Sequence, residues 1–183
     1  MRVLLDACVL YPTVMREVLL AAAGTGLFQP LWSDRILEEW ARAARKLGPQ
    51  AEPVARAEIA LLRVAWPDAS VPPAPGTQAR LWLPDMNDVH VLAAAIRGSA
   101  DLLLTLNARD FPRNILAEEG VTRRDPDGFL WQLWSHHPHD MAEAVAEIHA
   151  KAEALSGETW PLRALLKKAR LPRLGKALDQ AAS

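Results

Sequence analysis

Apolar positions recur along the chain with two alternating periods. Residues 3–9 form an apolar run broken only by Asp6, which suits a strand buried on both faces. Residues 14–23 predict a helix ended by Gly24 and Gly26. Residues 27–32 predict a second strand, with Pro30 marking an edge or a strand end. Ser33 is a fitting N-cap for a helix over 34–47, stopped by Gly48-Pro49. A further helix over 51–64 has Val54, Ala57, Leu61 and Leu62 as its apolar positions. Residues 66–78 carry four prolines and a glycine, so they read as loop, with one short extended piece at 69–71.

The stretch 81–112 organises what surrounds it. Asp88 opens a helical run over 89–96, and residues 101–106 read as a buried strand. Asn107 and Asp110 lie just past that strand. In an open α/β sheet this edge is where ligands and catalytic groups gather. Beyond residue 112 the chain turns polar over 113–125, with a short strand near 121–123. Helices then follow over 127–134, 140–155, 160–169 and 173–181. The expected architecture is an α/β domain over 1–125 with a helical C-terminal extension, 126–183, packed on it.

Four acids stand where chemistry is expected. A lone Asp6 inside an apolar run is costly unless it is paired, hydrogen-bonded or metal-bound; the alternative is that it ends the strand and caps the next turn. On the helix over 34–47, Ile36, Leu37, Trp40, Ala43, Ala44 and Leu47 make one stripe. Glu38 points away from that stripe and can pair with Arg42. Glu39 lies about 100° from its centre, able to reach a cleft beside the sheet or simply to stay solvated. Val91, Leu92 and Ala95 follow Asp88 at helical spacing, so Asp88 faces the sheet, whereas Asp85 reads as a cap or supporting acid. His90 reads as a surface or groove histidine. Arg123-Arg124 reads as solvated surface.

Composition narrows the class. The chain has 183 residues, half of them hydrophobic, and a net charge of −1 from 21 basic and 22 acidic residues. That balance decides nothing about nucleic acid. Past Trp160 there are six basic residues against Asp179, a tail that could steer RNA or a partner, or form a solvated helix face. The single cysteine, Cys8, suits a reducing compartment. No secretory signal and no membrane-length apolar run is visible, so a cytoplasmic protein is expected. There are no repeats, no Gly-rich phosphate loop, no nucleophile elbow and no Cys/His motif.

Asp6, Glu39, Asp88 and Asp110, with Asn107, come from separate elements and offer only oxygen ligands. Such a set suits Mg²⁺ or Mn²⁺. Hydrolysis by metal-activated water is the chemistry it supports without a protein nucleophile. A phosphatase with Asp6 as nucleophile is disfavoured, because position 8 is Cys8 rather than a second acid.

Three pieces, VLLDACVLYP, LWSDRILEEW and DMNDVHVLAAAIRGSADLLLTLNARDFP, resemble the PIN-domain ribonucleases in order and spacing, including the VapC-type toxins. They cover about residues 1–112; DPDGFLWQLW resembles the helical tail of one bacterial subgroup. The resemblance implies a PIN-like three-layer α/β/α fold with a central parallel sheet. It also implies an acidic pocket for Mg²⁺ or Mn²⁺, and endonucleolytic cleavage of RNA. Asp6, Glu39 and Asp88 match the family's acids. Many relatives have Asp, in the pattern T-x-D, where this chain has Asn107; Asp110 would then supply the charge. A metal-dependent endoribonuclease, the toxin of a type II toxin–antitoxin pair, is the expectation. The partners it implies are an RNA substrate, a small antitoxin and a second copy as a homodimer. The alternatives are an inactive PIN-like module that binds RNA or a partner, and a DNA-directed structure-specific nuclease.

Overall fold

A continuous apolar strand needs cover on both faces, and helices alternating with such strands supply it. The computed structural model describes residues 1–181. In chain order the elements are β1 (Arg2–Leu5), α1 (Ala7–Leu10), α2 (Thr13–Gly24), β2 (Gln29–Ser33), α3 (Asp34–Ala44), α4 (Ala51–Ala65), β3 (Ser70–Val71), α5 (Pro75–Arg80), α6 (Val89–Arg97) and β4 (Leu102–Leu104). They continue with α7 (Arg113–Glu118), β5 (Thr122–Arg124), α8 (Pro126–His136), α9 (Pro138–Ser156), α10 (Leu162–Lys168) and α11 (Pro172–Ala181).

These elements fall into two compact units. The first takes Met1–Tyr11 and Gln29–Arg124; the second takes Pro12–Phe28 and the chain from Asp125 onward. In the first, five strands form one parallel sheet in the order β3-β2-β1-β4-β5. Val3 is in register with Pro30 on one side and Leu102 on the other. With that order, the right-handed crossovers of parallel sheets require α3 and α4 on one face and α5, α6 and α7 on the other. Gly98 permits the close approach of the end of α6: a Cβ there would meet a Val71 methyl at 2.9 Å and a Leu31 methyl at 3.0 Å. Leu4, Leu5, Leu31, Trp32, Leu103, Leu104 and Leu92 fill the core between the layers. From β1 the order runs to β2 one way and to β4 the other. The C-terminal ends of β1 and β4 therefore flank a topological switch point.

Several expectations shift. The first strand ends at Leu5, and Ala7–Leu10 is a helical turn, so Asp6 stands at a strand end rather than inside a run. Pro30 lies at the start of β2, where β3 has not yet begun to pair, which is why its missing N–H is tolerated. The proline-rich stretch holds a helix, α5, with Pro75 in its first turn, where the lost N–H costs nothing. A second helix, α7, occupies the polar run after Pro112. On α4 the buried face is Ala55, Ile59 and Leu62, while Val54 and Leu61 are exposed. Arg56 bonds Glu38 of α3 and Glu52 of its own helix, and Arg45 bonds Glu52, all at the exposed margin of the α3–α4 contact.

The second unit is helical. Met15, Val18, Leu19, Leu130, Met141, Val145, Leu166 and Leu174 are buried, and Phe28 meets Phe129 edge to face at 5.2 Å. Asp127 accepts from the backbone N–H groups of Arg173 and Leu174 at 2.9 and 3.1 Å, which caps α11 and ties it to α8. Parts of the basic tail are engaged within this unit: Arg163 pairs with Asp179, Lys168 lies over Trp160, and Arg173 over Trp131. Among the described residues, no helix is long and apolar enough to cross a membrane.

Candidate metal centre

Asp6 is held at the end of β1. Its backbone N–H donates to the Leu104 carbonyl at 3.1 Å, which continues the β1–β4 ladder by one residue. Its carboxylate is buried and caps nothing. Instead Oδ2 accepts from the Thr105 hydroxyl at 2.6 Å and from the Cys8 thiol at 3.1 Å. Burial first, and then the Asp6 charge, push the Cys8 thiol up to about 12, so it remains a protonated donor. Thr105 also accepts from the Asn107 N–H at 2.9 Å, coupling β1 to the turn beyond β4.

Asp88 ends a short 3₁₀ turn, Met86–Asp88, that leads into α6. Asp85 starts that turn, and its carboxylate accepts from the backbone N–H of Asn87 at 2.9 Å. Asp85 caps the turn as expected, from an extended backbone just before it, and its carboxylate also stands beside that of Asp88. Carboxylate oxygens of Asp85, Asp88 and Asp110 all lie within 4.8 Å of one another. The Asn107 amide nitrogen lies between two of them, 3.4 Å from Asp88 and in a shorter hydrogen bond to Asp110.

Asp6 and Glu39 stand outside that group of three but close enough to act on it. Asp88 is pushed up from its ordinary value to about 6, by burial first and then by the charges of Asp6, Asp85, Asp110 and Glu39. Glu39 borders the stripe of α3 as its position predicts. Its Oε1 lies 2.8 Å from His90 Nε2 and 3.5 Å from Arg35. His90 is buried, contrary to its reading as a surface or groove residue, because α6 is enclosed on all sides from Val89 to Ala95. Glu38 pairs with Arg42 and Arg56, away from the acids.

Two arginines fix the loops that carry the acids. Arg123, expected as solvated surface, donates to the backbone carbonyls of Ala108 and Phe111, the latter at 3.0 Å. It thereby pins the turn that holds Asn107 and Asp110. Arg35 donates to the Asn87 carbonyl at 3.3 Å, bracing the turn of Asp85 and Asp88. No local pattern marks Arg123 for this role, since its partners lie on another loop.

The sequence pattern of the PIN domain matches residues 2–109 of this chain. The chain belongs to the PIN-domain family. The matched stretch takes in Asp6, Glu39, Asp85, Asp88 and Asn107, and stops one residue before Asp110. Neither the curated proteins nor the solved structures yielded a match. PIN domains are generally nucleases and typically use divalent metals, and the donor set fits that habit. Asp85, Asp88 and Asp110 gather with Asp6 and Glu39 beside them, and among the described residues only Arg35 and His90 stand in ion-pair range, both on Glu39. Like charges gathered with so little counter-charge are an arrangement that a hard divalent cation relieves.

Proposed function

We propose that this PIN-domain protein is a metal-dependent endoribonuclease that hydrolyses RNA phosphodiesters, the toxin of a type II toxin–antitoxin pair. The observation that carries the nuclease reading is the convergence of Asp85, Asp88 and Asp110 within 4.8 Å at the sheet's switch point, with Asp6 and Glu39 beside them. Asp88, Asp110, Asp6 and Glu39 would hold Mg²⁺ or Mn²⁺, with Asp85 joining them. Asn107 would contribute its carbonyl oxygen after its amide turns over. A divalent cation bound there supplies Lewis acidity, acidifying water and offsetting charge on the phosphodiester.

The chain's own residues do the rest. Thr105 and Cys8 fix the Asp6 carboxylate, and Arg123 fixes the Asp110 turn. Arg109 and Arg113, exposed on either side of Asp110, are placed to meet substrate phosphates that the acids alone would repel. The toxin role, with a small antitoxin and a second copy as partners, rests on the resemblance of the motifs to VapC-type proteins. It predicts growth arrest on expression, relieved by Asp88→Ala.

The test of the catalytic reading is cleavage by the purified chain with Mn²⁺. Single-stranded RNA is expected to be cut in preference to flapped DNA, and Asp88→Asn to abolish cutting. If flapped DNA is the better substrate, the RNA assignment fails. If Asp88→Asn cuts as well as the parent, the site assignment fails. One observation favours a second reading, a non-cleaving module that binds RNA: the Asn107 amide supplies N–H donors where a further acid would otherwise stand. Metal titration separates the two.

A further inference from the structure

We infer that Trp82 is a stacking platform for a nucleobase of a single RNA strand lying over the acids. The inference rests on the nuclease reading above.

Trp82 sits in the extended link between α5 and the Asp85 turn. Its neighbours Leu81 and Leu83 are buried, at 7% and 0% exposure, while Trp82 is 62% exposed. Successive residues of an extended segment point to opposite sides. Anchoring two leucines in the core therefore projects the indole outward.

The link is fixed at both ends. Arg80 forks onto Glu119 with bonds of 2.5 and 2.7 Å. On the other side Asp85 caps its own turn and Arg35 holds the Asn87 carbonyl. An indole presented on a fixed link loses little freedom on binding, which favours contact with a partner. More than half of its large apolar surface is left to water. The other strongly exposed indole, Trp131, has Arg173 over its ring at 5.7 Å. Among the described residues no ring or cation covers Trp82.

Trp82 precedes Asp85 by three residues, so their Cα atoms are at most about 11 Å apart. Met86, the residue after Asp85, is also exposed and adds a second apolar surface beside the acids. A flat aromatic face this close to a phosphodiester-cleaving centre fits a base next to the scissile phosphate. Stacking is tolerant of base identity, so little sequence preference is expected from this contact.

The test uses the full chain carrying Asp88→Asn, with binding of labelled single-stranded RNA read by fluorescence anisotropy. Adding Trp82→Ala is expected to weaken binding roughly 5- to 150-fold, and Trp82→Phe to retain most of the affinity. A single abasic position is then moved along the RNA. At one position the RNA should bind equally well with and without the Trp82→Ala substitution. Circular dichroism melts check that each variant is folded. Unchanged affinity in folded Trp82→Ala, equal losses for the Ala and Phe variants, or an undiminished Trp82→Ala penalty at every abasic position overturns the inference. Cleavage by the parent with Mn²⁺ is measured alongside. A parent that binds RNA with the Trp82 contrast but cuts nothing refutes the nuclease reading and leaves the stacking site standing.

Discussion

Thr105 donates its hydroxyl hydrogen to Asp6 at 2.6 Å, across the seam between β1 and β4. Both residues are buried, so the bond is not traded for one to water. It fixes the carboxylate that lies at the switch point of the sheet. Thr105→Val keeps the shape and deletes the donor. The loss of a hydrogen bond to a charged group predicts a destabilisation of about 1.5–3 kcal/mol at neutral pH. Urea denaturation measures it, and nuclease activity should fall with it.

Arg123 plays the corresponding part for Asp110, through backbone carbonyls rather than the acid itself. Arg123→Met preserves much of the stem and removes the guanidinium. Hydrogen exchange over residues 107–111 is expected to speed up, with a stability loss of about 1–3 kcal/mol. An unchanged exchange rate would show that the turn holds itself.

Asp88 gives a pH dependence with a definite sign. Its folded-state value is about 6, against an ordinary 3.8. Between those values the folded chain keeps a proton that the unfolded chain has released, so metal-free stability contributed at Asp88 falls as pH rises through that window. Asp88→Asn lacks this loss. Without divalent ions, Asp88→Asn is expected to melt higher than the parent above pH 6; with Mn²⁺ the order should reverse. Thermal melts at several pH values, with and without EDTA, read this directly.

Asn107→Asp adds a carboxylate to the group and removes the N–H donors shared by Asp88 and Asp110. The metal-free protein should lose stability and Mn²⁺ should bind more tightly, since cation affinity follows ligand charge. Calorimetric titration and melts of both chains check the two effects. If the substitution also raises cleavage from nothing, the non-cleaving reading of the natural chain is the correct one.

The parallel sheet and the inward set of its helices were legible from apolar runs and 3.6-residue stripes. Glu39 and Asp88 were separated from Glu38 and Asp85 by the same geometry. It worked for the glutamates because α3 is a regular helix. Asp85 does cap the turn before α6, but a helical wheel does not show that its carboxylate also meets those of Asp88 and Asp110, because Asp85 itself is extended and Asp110 comes from a distant loop. The face of α4 was misjudged because an Ala-rich helix offers two apolar stripes, and only the packed structure shows that the one of Ala55, Ile59 and Leu62 is buried. Arg123 and His90 were not legible, since each takes its role from an element distant in sequence.

The proposed function requires that these acids hold a divalent cation. Isothermal calorimetry with Mn²⁺ on the full chain at about pH 7.5, above the Asp88 titration, is the most direct measurement. Saturable binding is predicted, weakened at least about tenfold by Asp88→Asn. A folded parent that shows no saturable binding, or an Asp88→Asn variant that binds as tightly, would contradict it.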